Sequence, residues 1–175
     1  VTNRLPLVAV DTCVVVDLLT PDPQRQARAR WFFEQHDLAY QVVLPAIVVA
    51  EVAGAGSING NHGGGDARQE RVDKVHAWIR DSNYLVAELT ERLARHAAQL
   101  ASDYSLKGPD ATVLATAIAW KCTLLCTRDN GLLKIDGEIP GLGIKVPEDP
   151  PLPEDDLFSI EHEPVSPILL DPSGG

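Results

Sequence analysis

Four short apolar runs, Leu7–Val10, Val42–Leu44, Thr123–Cys126 and Gly143–Val146, constrain this chain more than any other feature. Each is too short for a helix, and several contain the β-branched residues that suit a pleated surface. The long stretches between the first three carry helical spacing rather than tight turns. A hairpin joins only antiparallel neighbours, so strands separated by helices pair in parallel through crossovers. The expected fold is α/β, a doubly wound parallel sheet with helices on both faces in a single domain.

The helices announce themselves in different ways. Pro21-Asp22-Pro23 breaks the chain before a helix from about Gln24 to Glu34. Pro45 suits the first turn of a helix through Ala53, because its missing N–H costs nothing there. Val72, Val75 and Ile79 follow the i, i+3, i+7 rule. Leu89, Leu93, Ala97, Leu100 and Tyr104 mark one face of another helix, with Thr90 or Asp81–Asn83 as start signals. Gly108-Pro109 ends that helix and opens the next, Asp110 to about Lys121. Tyr84-Leu85-Val86 fits a short strand or a connection equally well.

Two segments fall outside this alternation. Gly54–Ala67 holds six glycines in fourteen residues and reads as a mobile loop. Residues 148–175 are rich in proline and acid and read as an extended or disordered tail behind a domain of residues 1–147. That tail bears on charge. The net charge of −10 argues against a nucleic-acid partner, but residues 148–175 hold eight acids and no Lys or Arg. The body keeps 17 acids against 15 bases, so the objection is weak. No apolar run approaches the roughly 20 residues that span a bilayer. The N-terminal residues lack a secretory layout, which predicts a cytoplasmic protein. Cys13, Cys122 and Cys126 form no disulfide or zinc pattern, and Cys122 and Cys126, flanking Thr-Leu-Leu, read as packed strand thiols.

Three of four candidate acids, Asp11, Glu51 and Asp129, stand where an α/β sheet binds its ligands, in the crevice beyond the carboxyl ends of the strands. Asp11 follows the first strand. Asp129 comes three residues after the Thr123–Cys126 strand, and Asp110 begins a helix. Glu51 is the one non-apolar residue between Ala46 and Ala53, with no Lys or Arg nearby in that helix. A carboxylate in such surroundings is costly to desolvate without a positive partner, and a divalent cation would supply one. Carboxylates suit hard cations such as Mg²⁺ or Mn²⁺, which assist phosphodiester hydrolysis by activating water and neutralising charge. Asp11, near the sheet's centre, is the candidate to bridge two ions. Each acid also has a plainer role. Asp11 could cap a helix starting near Thr12, and Asp110 could simply suit a helix N-terminus. Asp129 before Asn130-Gly131 could be turn chemistry, and Glu51 could pair with Arg71 or Arg92.

Further signals weigh less. Gly54–Gly60 is an imperfect dinucleotide fingerprint, with one residue too many and a helix in front of it. The five histidines are scattered, and no nucleophile elbow is present. Trp31, Trp78 and Trp120 sit in helical patterns as core or interface residues. Arg25, Arg28 and Arg30 follow Asp11's loop, while Arg128 and Lys134 flank Asp129, so these could meet phosphate or be solvated surface charge.

The stretches Val8–Leu19, Pro45–Val52, Asp110–Ala117 and Leu124–Asp129, in that order, resemble the PIN domain, particularly the VapC-like toxins of bacterial toxin–antitoxin pairs. The resemblance covers roughly residues 5–147. It implies a metal-dependent endoribonuclease with Asp11, Glu51, Asp110 and Asp129 as the metal-site acids, and Thr127 as the hydroxyl residue that supports them. Thr12 matches a small polar position after the first acid, and Asp17 reads as structural. The resemblance also implies an RNA substrate, a small antitoxin partner and a homodimer. Two rivals remain open: the same fold as a binding module with little catalysis, and a Mg²⁺ phosphohydrolase acting on another phosphate ester.

Overall fold

The computed structural model describes residues 4–55 and 65–151. The elements run β1 (Leu7–Val10), α1 (Thr12–Asp17), α2 (Pro23–Glu34), β2 (Gln41–Pro45), α3 (Ala46–Gly54) and α4 (Gly65–Asp81). They continue with β3 (Leu85–Ala87), α5 (Glu91–Tyr104), α6 (Gly108–Ala119), β4 (Leu124–Cys126), α7 (Asn130–Leu133) and β5 (Gly143–Lys145). The five strands form one sheet in the order β3-β2-β1-β4-β5, parallel throughout. Val8 lies opposite Val42 on one side and Leu124 on the other, so β1 is the central strand.

Successive strand residues point to opposite faces, yet Val8, Ala9 and Val10 are all buried, as are Val42, Val43 and Leu44. Both faces of the sheet are therefore covered, which is what a parallel sheet requires. Helix α6 packs on β1, β2 and β4, and α5 packs on α6 through Leu93, Ala97 and Leu100. The aromatic rings of Phe33, Trp78 and Tyr84 meet edge-on or tilted and tie α2 to α4 and to the approach of β3.

Local chemistry sets the helix ends. Asp22 caps α2 by accepting from the Gln24 and Arg25 N–H groups, and Thr90 caps α5 by accepting from Leu93 N–H. Helix α5 stops at Ser105 in the left-handed region, φ 54°, before the Gly108-Pro109 pair. That pair forms the first turn of α6, which ends at Ala119.

Several expectations shift. Leu89 precedes α5 and is exposed rather than part of its buried face, because the cap at Thr90 fixes the helix start one residue later. Pro45 closes β2 and caps α3 from outside instead of entering its first turn. Tyr84-Leu85-Val86 resolves in favour of a strand, Leu85–Ala87, at the sheet edge. Helix α4 reaches back to Gly65, so the last three residues of the glycine-rich stretch are helical. Most of that stretch, most of the 148–175 tail, His62 and His162 lie outside the described residues. Among the described residues, no helix is long and apolar enough to cross a membrane.

Candidate metal centre at the carboxyl rim

Asp11 follows the central strand, and its backbone N–H donates to Cys126 O at 3.0 Å, extending the β1–β4 ladder by one residue. Thr127 continues β4 in the same way through its N–H to Lys145 O. The two side chains consequently stand side by side. Thr127 Oγ1 donates to Asp11 Oδ2 at 2.6 Å and accepts from Asp129 N–H at 2.9 Å, which fixes the direction of its own proton. The Thr12 N–H donates to Asp11 Oδ1 at 2.7 Å, so Asp11 also caps α1.

Asp11 is only 5% exposed, and every one of these donors is neutral. The Cys13 thiol adds a third, 3.1 Å from Oδ2. Burial and then the Asp11 charge push the Cys13 pKa up to about 12, so this sulfur carries its proton and donates it. The same sulfur accepts from Arg128 N–H at 3.1 Å. The other two thiols, Cys122 and Cys126, are free and buried, with pKa values pushed up to about 12 mainly by burial.

Glu51 lies on α3 beside the buried Val48 and Val52. The Thr12 hydroxyl donates to its Oε2 at 2.5 Å, so Thr12 links Asp11 and Glu51 through its N–H and its hydroxyl. No lysine or arginine among the described residues forms an ion pair with Glu51. The Arg71 side chain is outside the described set, and Arg92 lines a cleft of about 610 Å³ with Glu88, His96 and Trp120, which holds none of the four acids.

Asp129 caps α7 through Oδ1, accepting from Gly131 N–H at 2.7 Å and Leu132 N–H at 3.1 Å. A Cβ at position 131 would stand 2.8 Å from that oxygen, which explains why glycine follows Asp129-Asn130. Asp110 sits in the first turn of α6, half-buried. Its carboxyl pKa is raised, first by burial, then by the charges of Asp129 and Asp11 and more weakly by Glu51, with Lys107 opposing. The four acids thus share one electrostatic field.

They do not form a ready cage. Among the described residues, no three His, Cys, Asp or Glu side chains are arranged to hold an ion in this geometry. Glu51 and Asp129 each give one oxygen to a local donor instead. Still, Glu51 Oε1, Asp129 Oδ2 and both Asp110 oxygens accept no hydrogen bond from the described residues. A set of uncommitted carboxylate oxygens around a buried, neutrally solvated Asp11 fits a hard divalent cation.

Sequence reading did not find three features here. Cys13 gave no sign of touching Asp11, because a lone cysteine in an apolar run looks like packing. Asp17 is buried by a pair of arginines, Arg25 and Arg128, the second 111 residues away. Arg28 pairs with Asp149 rather than standing free at the pocket mouth.

The fold and rim define an α/β protein with acidic side chains grouped beyond the carboxyl ends of a parallel sheet. The PIN domain pattern matches residues 8–138, and the chain belongs to the PIN domain family. Solved structures share the fold. A toxin–antitoxin complex from Klebsiella pneumoniae aligns with a TM-score of 0.56 at 22% identity, over 82% of this chain and 99% of that one. FitAcB from Neisseria gonorrhoeae gives 0.55 at 24%, over 71% and 88%. The Mycobacterium tuberculosis toxin VapC20, which cleaves the sarcin–ricin loop, gives 0.54 at 19%, over 70% and 90%. A comparison with curated proteins finds no match.

Proposed function

We propose that this chain is a Mg²⁺- or Mn²⁺-dependent endoribonuclease, the toxin of a toxin–antitoxin pair, with Asp11, Glu51, Asp110 and Asp129 as its metal ligands. The observation that carries the reading is the buried Asp11, met only by neutral donors and tied to Glu51 through Thr12, with oxygens of Glu51, Asp110 and Asp129 left uncommitted at the same rim. Four like charges focused on one rim are unfavourable unless a cation joins them. Family membership supports a nuclease, and the structural neighbours named above support an antitoxin partner.

A divalent cation bound there supplies polarisation of water and neutralisation of phosphate charge. The chain's own residues supply aim and exclusion. Asp11 is held by Thr12 N–H, Thr127 and Cys13, so its oxygens cannot swing toward solvent. Thr127 orients Asp11 and the Asp129 backbone with one hydroxyl. Cys13 adds a third contact, its thiol donating to Asp11 Oδ2 at 3.1 Å. Glu51 and Asp110 approach from α3 and α6, on the flanks of the central strand. The active species is proposed to be a homodimer acting on RNA.

The test incubates purified protein with structured and unstructured RNA in Mg²⁺ or Mn²⁺, beside Asp11→Asn and a chelator control. Cleavage that requires both the ion and Asp11 is the expected result. Cleavage that survives in the Asn variant or in chelator refutes the reading. Ion binding without cleavage of any RNA favours a binding module instead.

A further inference from the structure

The rim carries a second cluster of opposite sign. Asp17 ends α1 with its side chain only 3% exposed, and two guanidiniums from separate elements close on it. Arg25, from the first turn of α2, bonds Oδ1 through Nε at 3.0 Å and also through Nη2. Arg128, from the segment after β4, bonds Oδ1 through Nη2 at 2.9 Å and Oδ2 through Nε. One carboxylate therefore holds two permanent cations, and a surplus positive charge remains. The two arginine side chains are 37% and 31% exposed, and neither Nη1 has a partner among the described residues.

The cluster is fixed relative to the acids. Arg128 lies between Thr127 and Asp129, its N–H donates to Cys13 Sγ, and that thiol donates to Asp11. One turn along α2, Arg28 already grips an oxyanion. Its Nε and Nη2 hold the two oxygens of Asp149 at 2.6 and 2.7 Å, a paired fork of the kind guanidinium also makes with phosphate. A purely structural tie for Asp17 would need one arginine. The second, about a third exposed beside the acidic rim, makes sense if an anion arrives there.

We propose that Arg25 and Arg128, clamped by Asp17, form a subsite for an RNA backbone phosphate beside the acid pocket, and that Asp149 competes with RNA for the neighbouring Arg28. The inference rests on the ribonuclease reading for the identity of its ligand. Contacts of this kind position the strand without reading sequence, so the subsite sets register and affinity rather than target choice. Asp17 is a positioning residue that points the two forks outward.

The test measures binding of an uncleavable 2′-O-methyl single-stranded RNA to the full chain by fluorescence anisotropy, from about 50 to about 200 mM salt. Arg25→Gln and Arg128→Gln should each weaken binding about tenfold and flatten the log–log salt dependence by about 0.7 per lost contact. Arg25→Lys should keep the salt slope while losing part of the affinity, because the charge stays and the fork goes. Asp149→Asn should tighten binding, about twofold, a change of sign that a structural role would not give. Mn²⁺ affinity, followed by calorimetry, should be unchanged in Arg25→Gln, whose side chain contacts none of the four acids.

If Arg128→Gln does not fold, Arg25→Gln decides the matter. An unchanged affinity and salt slope in Arg25→Gln, with a lower melting temperature, would mean that the arginines only hold α1 to α2, and would overturn the subsite. Wild-type protein that cleaves RNA while Arg25→Gln retains its KM also overturns the subsite and leaves the nuclease reading standing. Arginine-dependent binding in a protein that never cleaves keeps the subsite and removes the nuclease.

Discussion

The two ends of α1 treat a buried aspartate in opposite ways. Asp11, at its start, is surrounded by an amide, a hydroxyl and a thiol, all neutral. Asp17, at its end, is held by two arginines. Both are almost fully buried, six residues apart in sequence. A buried carboxylate solvated only by dipoles keeps its full charge available to an incoming cation, whereas one with two guanidiniums has been turned into a cationic surface. A single short helix thus separates a carboxylate met only by dipoles from one clamped by two cations.

Removing the charge at one end should cost function, and at the other should cost stability. Asp11→Asn is expected to lower RNA cleavage about 10³-fold while leaving the fold intact, read as single-turnover rates beside thermal melts. Asp17→Asn should do the reverse in kind. It leaves two guanidiniums converging on an uncharged amide and should cost about 2–3 kcal/mol in urea unfolding, below the loss for a fully buried pair because both arginines are partly exposed. Equal losses of stability in the two variants would erase the contrast.

Smaller effects sharpen it. Asp110 has a raised pKa because of burial and its acidic neighbours, so the folded chain holds that proton more tightly than the unfolded one. The corresponding stability is present below the ordinary carboxylate range and lost as pH rises through the raised value. Asp110→Asn should therefore raise the melting temperature at neutral pH in chelator, by no more than a few degrees, and should abolish part of the stabilisation conferred by Mn²⁺. The smallest effect concerns Arg28 and Asp149, an exposed pair. Arg28 lowers the Asp149 pKa through its hydrogen bonds, a contribution present above the ordinary range and lost as pH falls. Arg28→Ala should give no resolvable change in thermal melting at neutral pH, since an exposed pair is screened by water and salt.

In sequence the two ends of α1 differ only in outline, Asp11 as a candidate ligand and Asp17 as structural; the arginines that clamp Asp17 are not legible there, and the reason is distance along the chain. The strands and most helices could be read because hydrophobic periodicity and caps are local: Asp22 caps α2, Val75 lies on the buried face of α4, and the apolar run around Glu51 forms α3. Edge strand β3 was ambiguous because three residues carry too little pattern to outvote a connection. The candidate acids drew attention through their positions at strand and helix ends. The plainer roles weighed for Asp11 and Asp129 hold as well, since both cap helices, and a residue can do so with one oxygen and keep another. What surrounds Asp17 depends on Arg128, from across the sheet, and no spacing rule reports a partner at that range.

That range has a consequence for how the domain comes into being. Thr127 Oγ1 meets Asp11 across 116 residues, and β1 acquires β4 as a neighbour at the same separation. Contacts so remote are entropically expensive and form late. A growing polypeptide that has already emerged through α5 would still lack the strand that completes the rim, so any chemistry housed there can begin only after nearly all of the domain has been synthesised.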